Sequence, residues 1–170
     1  MSHSSQGHLT AGVICIVSGG QSGVDRAALD FAIAHGIAYG GWCPKGGWAE
    51  DFPDPPGLLA HYPNLRETDD SDTRQRTELN VQDSDATLLL TRSGANSPGS
   101  DFAIAVAETY TKPHLIIDAD SPDGAERIRA WLKELPSIRV LGIGGPRESE
   151  APGIYRAASA LLEQALRPDA

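Results

Sequence analysis

Short apolar runs alternate with stretches of helical periodicity along the chain. The apolar runs predict strands at residues 12–18, 37–41, 86–91, 114–118 and 139–143. Apolar residues that recur three and four positions apart predict helices at residues 24–35, 73–83, 101–109, 123–135 and 153–166. Continuous apolar strands that alternate with helices are typical of a parallel sheet covered on both faces. The pattern therefore predicts an α/β fold, with three α/β/α layers and a mainly parallel sheet of about five or more strands.

Local signals refine the helix ends and faces. Thr73 is a candidate N-cap for the second helix, and Pro122 suits a position near the start of the fourth. In the first helix the apolar stripe predicts that Ile33 is buried beside Leu29. In the last helix the same reasoning places Tyr155 on the apolar side.

Length and charge narrow the class of protein. The chain has 170 residues and a net charge of -9, which suits one ligand-binding domain over residues 12–168 after a frayed polar tail at 1–11. Such an acidic surface argues against nucleic-acid or anionic-membrane partners. No apolar run approaches membrane-spanning length, and the first residues lack signal-peptide regions. Two cysteines make neither a disulfide framework nor a zinc site, so a cytoplasmic location is expected.

Four loops at one edge of the predicted sheet are rich in glycine and small polar residues. In parallel sheets, ligands bind outside the carboxyl ends of the strands. The loops that follow the predicted strands there span residues 19–23, 41–51, 92–100 and 144–149. The second belongs to a long irregular stretch, 42–72, which holds five of the twelve prolines and is expected to be functional or mobile. The ligand site is therefore predicted where these loops meet.

The first loop has the composition of an anion site. Gly19, Gly20, Gln21, Ser22 and Gly23 join a buried strand to a helix start. Glycines let the backbone approach a ligand, and the free N–H groups of a helix start favour phosphate. The spacing matches neither the dinucleotide nor the triphosphate loop motif. A phosphate site is the favoured interpretation, and a turn that binds nothing is the alternative.

The second and fourth loops supply candidate cations. Lys45 can bring a mobile charge to a phosphate, although a solvated lysine is an equal alternative. Gly145 allows close backbone approach, and Arg147 offers a fork for phosphate or carboxylate. Trp42 and Trp48 are candidates for stacking on a ring, or for loop packing.

Metal binding by protein side chains has little support in the sequence. Cys43 is a candidate soft ligand for molybdenum, with a small packing residue as the favoured alternative. None of the five histidines lies in a metal-ligating pattern, so no metal site is predicted.

Four motifs carry a resemblance to a known family. The run Gly19-Gly20-Gln21-Ser22-Gly23-Val24-Asp25-Arg26-Ala27-Ala28-Leu29-Asp30 resembles the opening motif of the molybdenum cofactor carrier family. Further matches follow in order, at Gly41-Trp42-Cys43-Pro44-Lys45-Gly46, Arg76-Thr77-Glu78-Leu79-Asn80-Val81 and Gly145-Pro146-Arg147-Glu148-Ser149. This family is similar to the LOG-type phosphoribohydrolases. The resemblance implies a Rossmann-like fold, a phosphorylated ligand such as the molybdenum cofactor, a pterin phosphate, or a nucleotide, and a homo-oligomer, either dimer or tetramer.

The resemblance also implies a role for Arg76 of the second helix, and helical spacing adds Asn80 on the same face. Arg76 lies eight positions before Ser84, as a site arginine does in LOG-type enzymes, and would clamp a phosphate or a developing charge. The alternative is a surface arginine paired with Glu78 or Asp72. Asn80 falls one turn further along and would bond the ligand or merely the backbone.

The third loop departs from the LOG pattern. LOG-type enzymes carry a catalytic glutamate after a Gly-Thr pair, and aligning Gly99 and Ser100 on that pair places Ala103 at the glutamate position. An alanine cannot transfer a proton or stabilise an oxocarbenium ion, which speaks against the LOG reaction. Gly99 and Ser100 precede the predicted helix and retain an anion cradle. Asp101 either replaces the missing carboxylate in part, or its negative charge interacts favourably with the positive end of the helix.

Two hypotheses follow from these residues. The first is a binding protein that holds a phosphorylated pterin or nucleotide. The second is a hydrolase of N-glycosidic or related glycosyl bonds, with Arg76, Asp101, Glu148 or Glu50 as catalytic candidates. Glu50 lies in a polar loop that favours a solvated carboxylate, and Glu148 is equally suited to neutralising Arg147 or to tying its loop to the last helix. The missing glutamate favours the binding protein.

Overall fold

The computed structural model describes residues 12–168, so the predicted tail at 1–11 lies outside the described residues. The elements, in chain order, are β1 (Cys15–Val17), α1 (Val24–Ala34), β2 (Ala38–Gly40), β3 (Trp42–Cys43), a 3₁₀ turn (Lys45–Gly47), α2 (Leu58–His61), β4 (Arg66–Glu67), α3 (Thr73–Gln82), β5 (Ala86–Thr91), α4 (Pro98–Thr109), β6 (His114–Asp118), α5 (Gly124–Lys133), β7 (Val140–Gly144) and α6 (Ile154–Leu166). No helix of residues 12–168 combines the length and apolar character needed to cross a membrane.

Five parallel strands form the main sheet in the order β2-β1-β7-β5-β6. β7 enters the centre of the sheet, where Gly142 pairs with Val17 on one side and with Thr87 on the other. The chain therefore moves outward from β1 in one direction and from β5 in the opposite direction. A crevice is expected outside the carboxyl ends of strands at such a reversal. The Rossmann-like α/β prediction is confirmed.

Helices cover both faces of the sheet. The larger apolar core lies on the face of α1, α5 and α6, where Ala28, Ile128 and Leu162 are fully buried. On the opposite face α3 and α4 enclose a smaller cluster that includes Val81, Leu89 and Val106. The small side chains on the α4 side leave space between the helices and the sheet.

Several predicted boundaries and faces are wrong. α4 begins at Pro98, with Ser97 as its N-cap, three residues before the predicted start, because proline is well suited to a first helical position. Asp72 is the N-cap of α3, since its carboxylate accepts the Arg74 N–H at 2.9 Å; Thr73 is already helical. Ile33 and Tyr155 are 49% and 38% exposed, so neither belongs to its helix's buried stripe.

The segment 42–72 is more ordered than an irregular loop. β3 and β4 pair in a parallel two-stranded sheet, and the 3₁₀ turn and α2 lie between them. Cys43, Leu58 and Leu65 form a separate apolar cluster with Leu29 of α1. This cluster anchors the segment beside the carboxyl end of β1.

Candidate ligand-binding site

A cavity of about 600 Å³ lies at the carboxyl edge of the main sheet, under α3 and α4. Its floor is the bare backbone of β7 at Gly142 and Gly144, flanked by Thr87 and Leu89 of β5. A Cβ at Gly142 would lie 2.6 Å from Ser84 Oγ, so a side chain there would collide with that hydroxyl. Predicted site residues that line this cavity are Gly19, Gln21, Arg76, Asn80, Gly99, Ser100, Gly145 and Arg147.

Other predicted residues lie outside the cavity lining. These are Gly20, Ser22, Gly23, Lys45, Glu50, Asp101 and Glu148. Lys45 is exposed in the 3₁₀ turn, where its backbone N–H donates to the Asp70 carbonyl at 3.1 Å. The second loop therefore brings no lysine to the cavity, because its chain turns away to pair β3 with β4.

Arg76 forms a buried ion pair with Asp25. Arg76 Nη1 donates to Asp25 Oδ2 at 2.9 Å, and the two side chains are 12% and 7% exposed. Burial raises the pKa of the Asp25 carboxyl, while the guanidinium and the N–H groups of Gly145 and Gln21 oppose that rise. A Cβ at Gly19 would lie 1.9 Å from Nη1, so only glycine leaves room for this pair. The expected surface partners Glu78 and Asp72 do not take this role.

Donors of the first loop are largely taken by the protein itself. The Val24 N–H at the start of α1 donates to the Pro146 carbonyl at 3.2 Å, and the Ser22 N–H donates to Gln21 Oε1 at 3.0 Å. Gly23 has a φ of 82°, and a Cβ there would lie 2.3 Å from the Pro146 oxygen. Gly23 thus serves close packing of the first loop against the fourth.

The first turn of α4 keeps free space in front of it. Gly99 and Ser100 lie inside this turn, and a Cβ at Gly99 would meet nothing within 4 Å. The exposed Arg74, also in the cavity lining, places its guanidinium 4.7 Å from the Phe102 ring centroid. The N–H groups of a first helical turn and a nearby arginine together favour an anion.

Arg147 borders the same cavity. Its guanidinium lies 5.3 Å from the Trp48 ring centroid, and its Nε lies 4.0 Å from Glu150 Oε1. Glu150 also accepts the backbone N–H of Arg147 at 3.1 Å. The partner of Arg147 is therefore Glu150 and not Glu148.

The three acidic catalytic candidates, Glu148, Asp101 and Glu50, lie outside the cavity lining. Glu148 accepts the N–H groups of Gly153 at 2.5 Å and Tyr155 at 3.0 Å, so it ties its loop to the start of α6. Asp101 is exposed in the first turn of α4. Ala103, which the resemblance aligns with the LOG glutamate, does line the cavity.

Glu50 is partly exposed, and its hydrogen bonds also make it a tie between loops. It accepts the Ser149 hydroxyl at 2.5 Å, the Ser149 N–H at 3.2 Å and the hydroxyl of Ser22. Partial burial raises the pKa of Glu50, but the hydrogen bonds from Ser149 and Ser22 outweigh it and hold the pKa below its ordinary value.

Three further candidates are committed to packing. The side-chain amide of Asn80 bonds the backbone of Trp42 twice. Its oxygen accepts the Trp42 N–H at 2.7 Å, and its NH₂ group donates to the Trp42 carbonyl at 2.9 Å. The Trp42 indole donates to Asp83 at 2.8 Å, and Arg66 covers its ring. Cys43 is buried, and desolvation followed by the charge of Glu67 raises its pKa to about 11, which keeps it a thiol. Within residues 12–168, no three histidine, cysteine or acidic side chains gather in a metal-ligating cluster.

Among the cavity residues that sequence reasoning missed are Asp25, Arg74, Thr87 and Glu150. Asp25 stands inside the quoted first motif, and an acid in the buried stripe of a helix is itself a signal for a buried cationic partner. Arg74 and Thr87 have no such signal, because only the packing of α3 against the sheet turns them toward the cavity.

The family model described as "Circularly permutated YpsA SLOG family" matches residues 16–166. The chain belongs to this family. Among solved structures, it is similar to the crystal structure of a "Putative molybdenum carrier protein" from Syntrophus aciditrophicus SB, with 46% identity and a TM-score of 0.80 over 90% of this chain and 94% of that chain. A comparison with curated proteins finds no match. The resemblance to molybdenum carriers and LOG-like proteins is thereby confirmed.

Membership in this SLOG family fits the cavity's position. A LOG-like protein is expected to bind its ligand at the carboxyl edge of the sheet, and the glycine floor, Arg76 and the first turn of α4 meet there. A small-molecule partner is consistent with this enclosed shape.

Proposed function

We propose that this protein is a carrier-like binding protein for a phosphorylated pterin cofactor or nucleotide. One observation carries the proposal. The cavity is lined by the first turn of α4 and by several arginines, and the carboxylates that line it already interact with arginines. Asp25 is bonded by Arg76, and Glu150 accepts from and faces Arg147. Such a lining can hold an anion, but it offers no unengaged acid for general catalysis among the described residues that line it.

The comparisons support the class of ligand. The 46% identical neighbour is named a molybdenum carrier protein, which favours the molybdenum cofactor or another phosphorylated pterin. A cavity of about 600 Å³ is large enough for a pterin or a purine with its phosphate. The bare floor at Gly142 and Gly144 suits a flat ring, because no side chain rises from it.

Hydrolysis of a glycosyl bond is less well supported. Asp101, Glu148 and Glu50 lie outside the cavity lining, and the resemblance aligns Ala103 with the LOG glutamate. Arg76 lines the cavity, but its guanidinium is bound to Asp25. These positions favour holding a ligand over cleaving it.

The proposal is tested by recovering the protein from a host that makes molybdenum cofactor. Native mass spectrometry and absorbance should reveal a bound phosphorylated pterin, and incubation with a panel of nucleoside monophosphates should release no base. Absence of a bound pterin, together with no affinity for added molybdenum cofactor or nucleotides, would contradict the proposal. Base release that disappears in Arg76→Ala would establish the hydrolase in its place.

A matched pair of variants tests whether the ligand binds in the cavity. Arg147→Met removes a cation from the lining and should weaken binding by about tenfold or more, as expected for a lost charge-assisted bond. Arg127→Met removes the same charge from the exposed side of α5 and should leave binding unchanged. The same samples, examined by light scattering, test the homo-oligomer that we also propose.

A further inference from the structure

Three buried polar atoms of the cavity lining have no hydrogen-bond partner within residues 12–168. They are Gln21 Nε2, Arg76 Nε and Thr87 Oγ1. Buried polar groups are nearly always paired, since an unmade bond there costs the full desolvation penalty. A ligand that brings acceptors to these atoms would remove the penalty.

The orientation of the Gln21 amide is determined by its neighbours. Its Oε1 accepts the backbone N–H of Ser22 at 3.0 Å and that of Glu50 at 2.9 Å. Both partners can only donate, so the oxygen must face them and the NH₂ group must face away. Gln21 lines the cavity and is 3% exposed, so its unpaired NH₂ group is the polar group that this side chain can offer a ligand.

Arg76 presents its free donor beside Gln21. Asp25 accepts from Arg76 Nη1 at 2.9 Å, and the nearby Gln21 backbone N–H lowers the pKa of the same carboxyl, so both residues lie beside one carboxylate. Because Asp25 balances the charge of Arg76, this buried end of the cavity offers donors without a net positive charge. Neutral acceptors, such as a keto oxygen or a ring nitrogen, suit it better than a phosphate.

The opposite end of the cavity is exposed to solvent and positively charged. Gly99 in the first turn of α4 is exposed, and so is Arg74 nearby. An anion there keeps contact with solvent and meets the positive end of the helix. The two ends therefore divide the ligand into an exposed phosphate and a buried, uncharged ring edge.

Building on the proposed function, the geometry points to a ligand whose buried ring edge carries two adjacent acceptors that are read by Gln21 Nε2 and Arg76 Nε. Guanine and oxidised pterins both present a keto oxygen next to a ring nitrogen. Adenine presents an amino donor in place of the keto oxygen, and this donor would face Gln21 Nε2. The site therefore selects the monophosphates of oxopurines and oxidised pterins against adenine monophosphate.

A ligand series tests this selection on the unaltered protein. Calorimetric titrations use GMP, neopterin monophosphate, AMP, and a deaza-GMP in which carbon replaces the ring nitrogen beside the keto group. GMP or neopterin monophosphate should bind at least about tenfold more tightly than AMP, and deaza-GMP should be weaker than GMP. Equal affinities for GMP and AMP overturn the selection while the binding function stands. No binding by any of the four overturns the selection, and the binding function falls with it only if added molybdenum cofactor also fails to bind.

A variant tests the role of Gln21 directly. Gln21→Glu keeps an oxygen for the Ser22 and Glu50 N–H groups but replaces the donor with a carboxylate oxygen. The preference for GMP over AMP should fall by about tenfold or reverse. Gln164→Glu adds the same charge on the exposed side of α6 and should leave the preference unchanged. An unchanged preference in folded Gln21→Glu overturns the assignment, and if this variant does not fold, the ligand series decides alone.

Discussion

Arg76 and Asp25 stand 51 positions apart in the chain, yet Nη1 of one donates to Oδ2 of the other at 2.9 Å beneath the cavity. The pair joins α3 to the start of α1, and the backbone N–H groups of Gln21 and Gly145 also lower the pKa of the Asp25 carboxyl. Asp25 therefore lies beside α3, the first loop and the fourth loop.

Removing the carboxylate charge should destabilise the protein. Asp25→Asn leaves the Arg76 guanidinium buried without a counter-ion, so we expect the free energy of unfolding to fall by about 3 kcal/mol. Urea unfolding followed by circular dichroism measures the change. Asp54→Asn, on an exposed residue, should shift it by less than about 0.5 kcal/mol. Equal stability of the two variants would show that the ion pair contributes little.

Two glycines of the cavity lining should respond oppositely to alanine. Gly19→Ala places a Cβ 1.9 Å from Arg76 Nη1, so the guanidinium must shift and both stability and ligand affinity should fall. In Gly99→Ala the added Cβ meets no atom within 4 Å. Because alanine is favoured over glycine in a helix by up to about 1 kcal/mol, the stability of this variant should not fall. Thermal melts of both variants check this. A stable Gly19→Ala would mean that Arg76 is free to move.

Glu148 should matter for stability and not for binding. Its carboxylate accepts two N–H groups at the start of α6, so Glu148→Ala should lower the free energy of unfolding by about 1–2 kcal/mol. Ligand affinity should stay within about twofold of the unaltered protein, because Glu148 lies outside the cavity lining. A large loss of affinity or turnover with an unchanged fold would restore Glu148 as a site residue.

The Glu50 tie should make stability depend on acid pH. Since hydrogen bonds from Ser149 and Ser22 lower its folded-state pKa, its contribution is complete above the ordinary glutamate pKa of about 4.3. It is lost as the pH falls through the lower folded-state value. Unfolding measured across acid pH should therefore show a shallower decline in Glu50→Gln than in the unaltered protein. Parallel pH profiles would assign the acid sensitivity to other carboxylates, such as Asp51 and Asp85, whose pKa values are also lowered.

The sequence predicts regular elements where local signals suffice. The apolar runs predict β5 at 86–91 and β6 at 114–118 with the bounds that the structure has. The start of α4 is missed because Ser97 and Pro98 read equally well as loop residues, and only the completed first turn identifies them as a cap and a first helical position.

Placement of the site residues depends on long-range packing. The four glycine-rich loops are correctly predicted to be at one sheet edge, yet Lys45 and Gly20 turn away while Arg74 and Thr87 turn in. The β3–β4 pairing and the packing of α3 decide these orientations, and neither has a signal in the local sequence. For the same reason, the sequence alone could not predict that the NH₂ group of Gln21 is buried without a partner.

The central claim, that the cavity holds a phosphorylated ring ligand without cleaving it, is tested most directly by one titration. The phosphorylated, oxidised pterin released from molybdenum cofactor is added to the protein and to Gly99→Trp, in which an indole replaces the open space in front of α4. We predict saturable binding of one ligand per chain, loss of that binding in Gly99→Trp, and recovery of intact ligand. Absent saturation, equal binding by folded Gly99→Trp, or a cleaved product would contradict the claim.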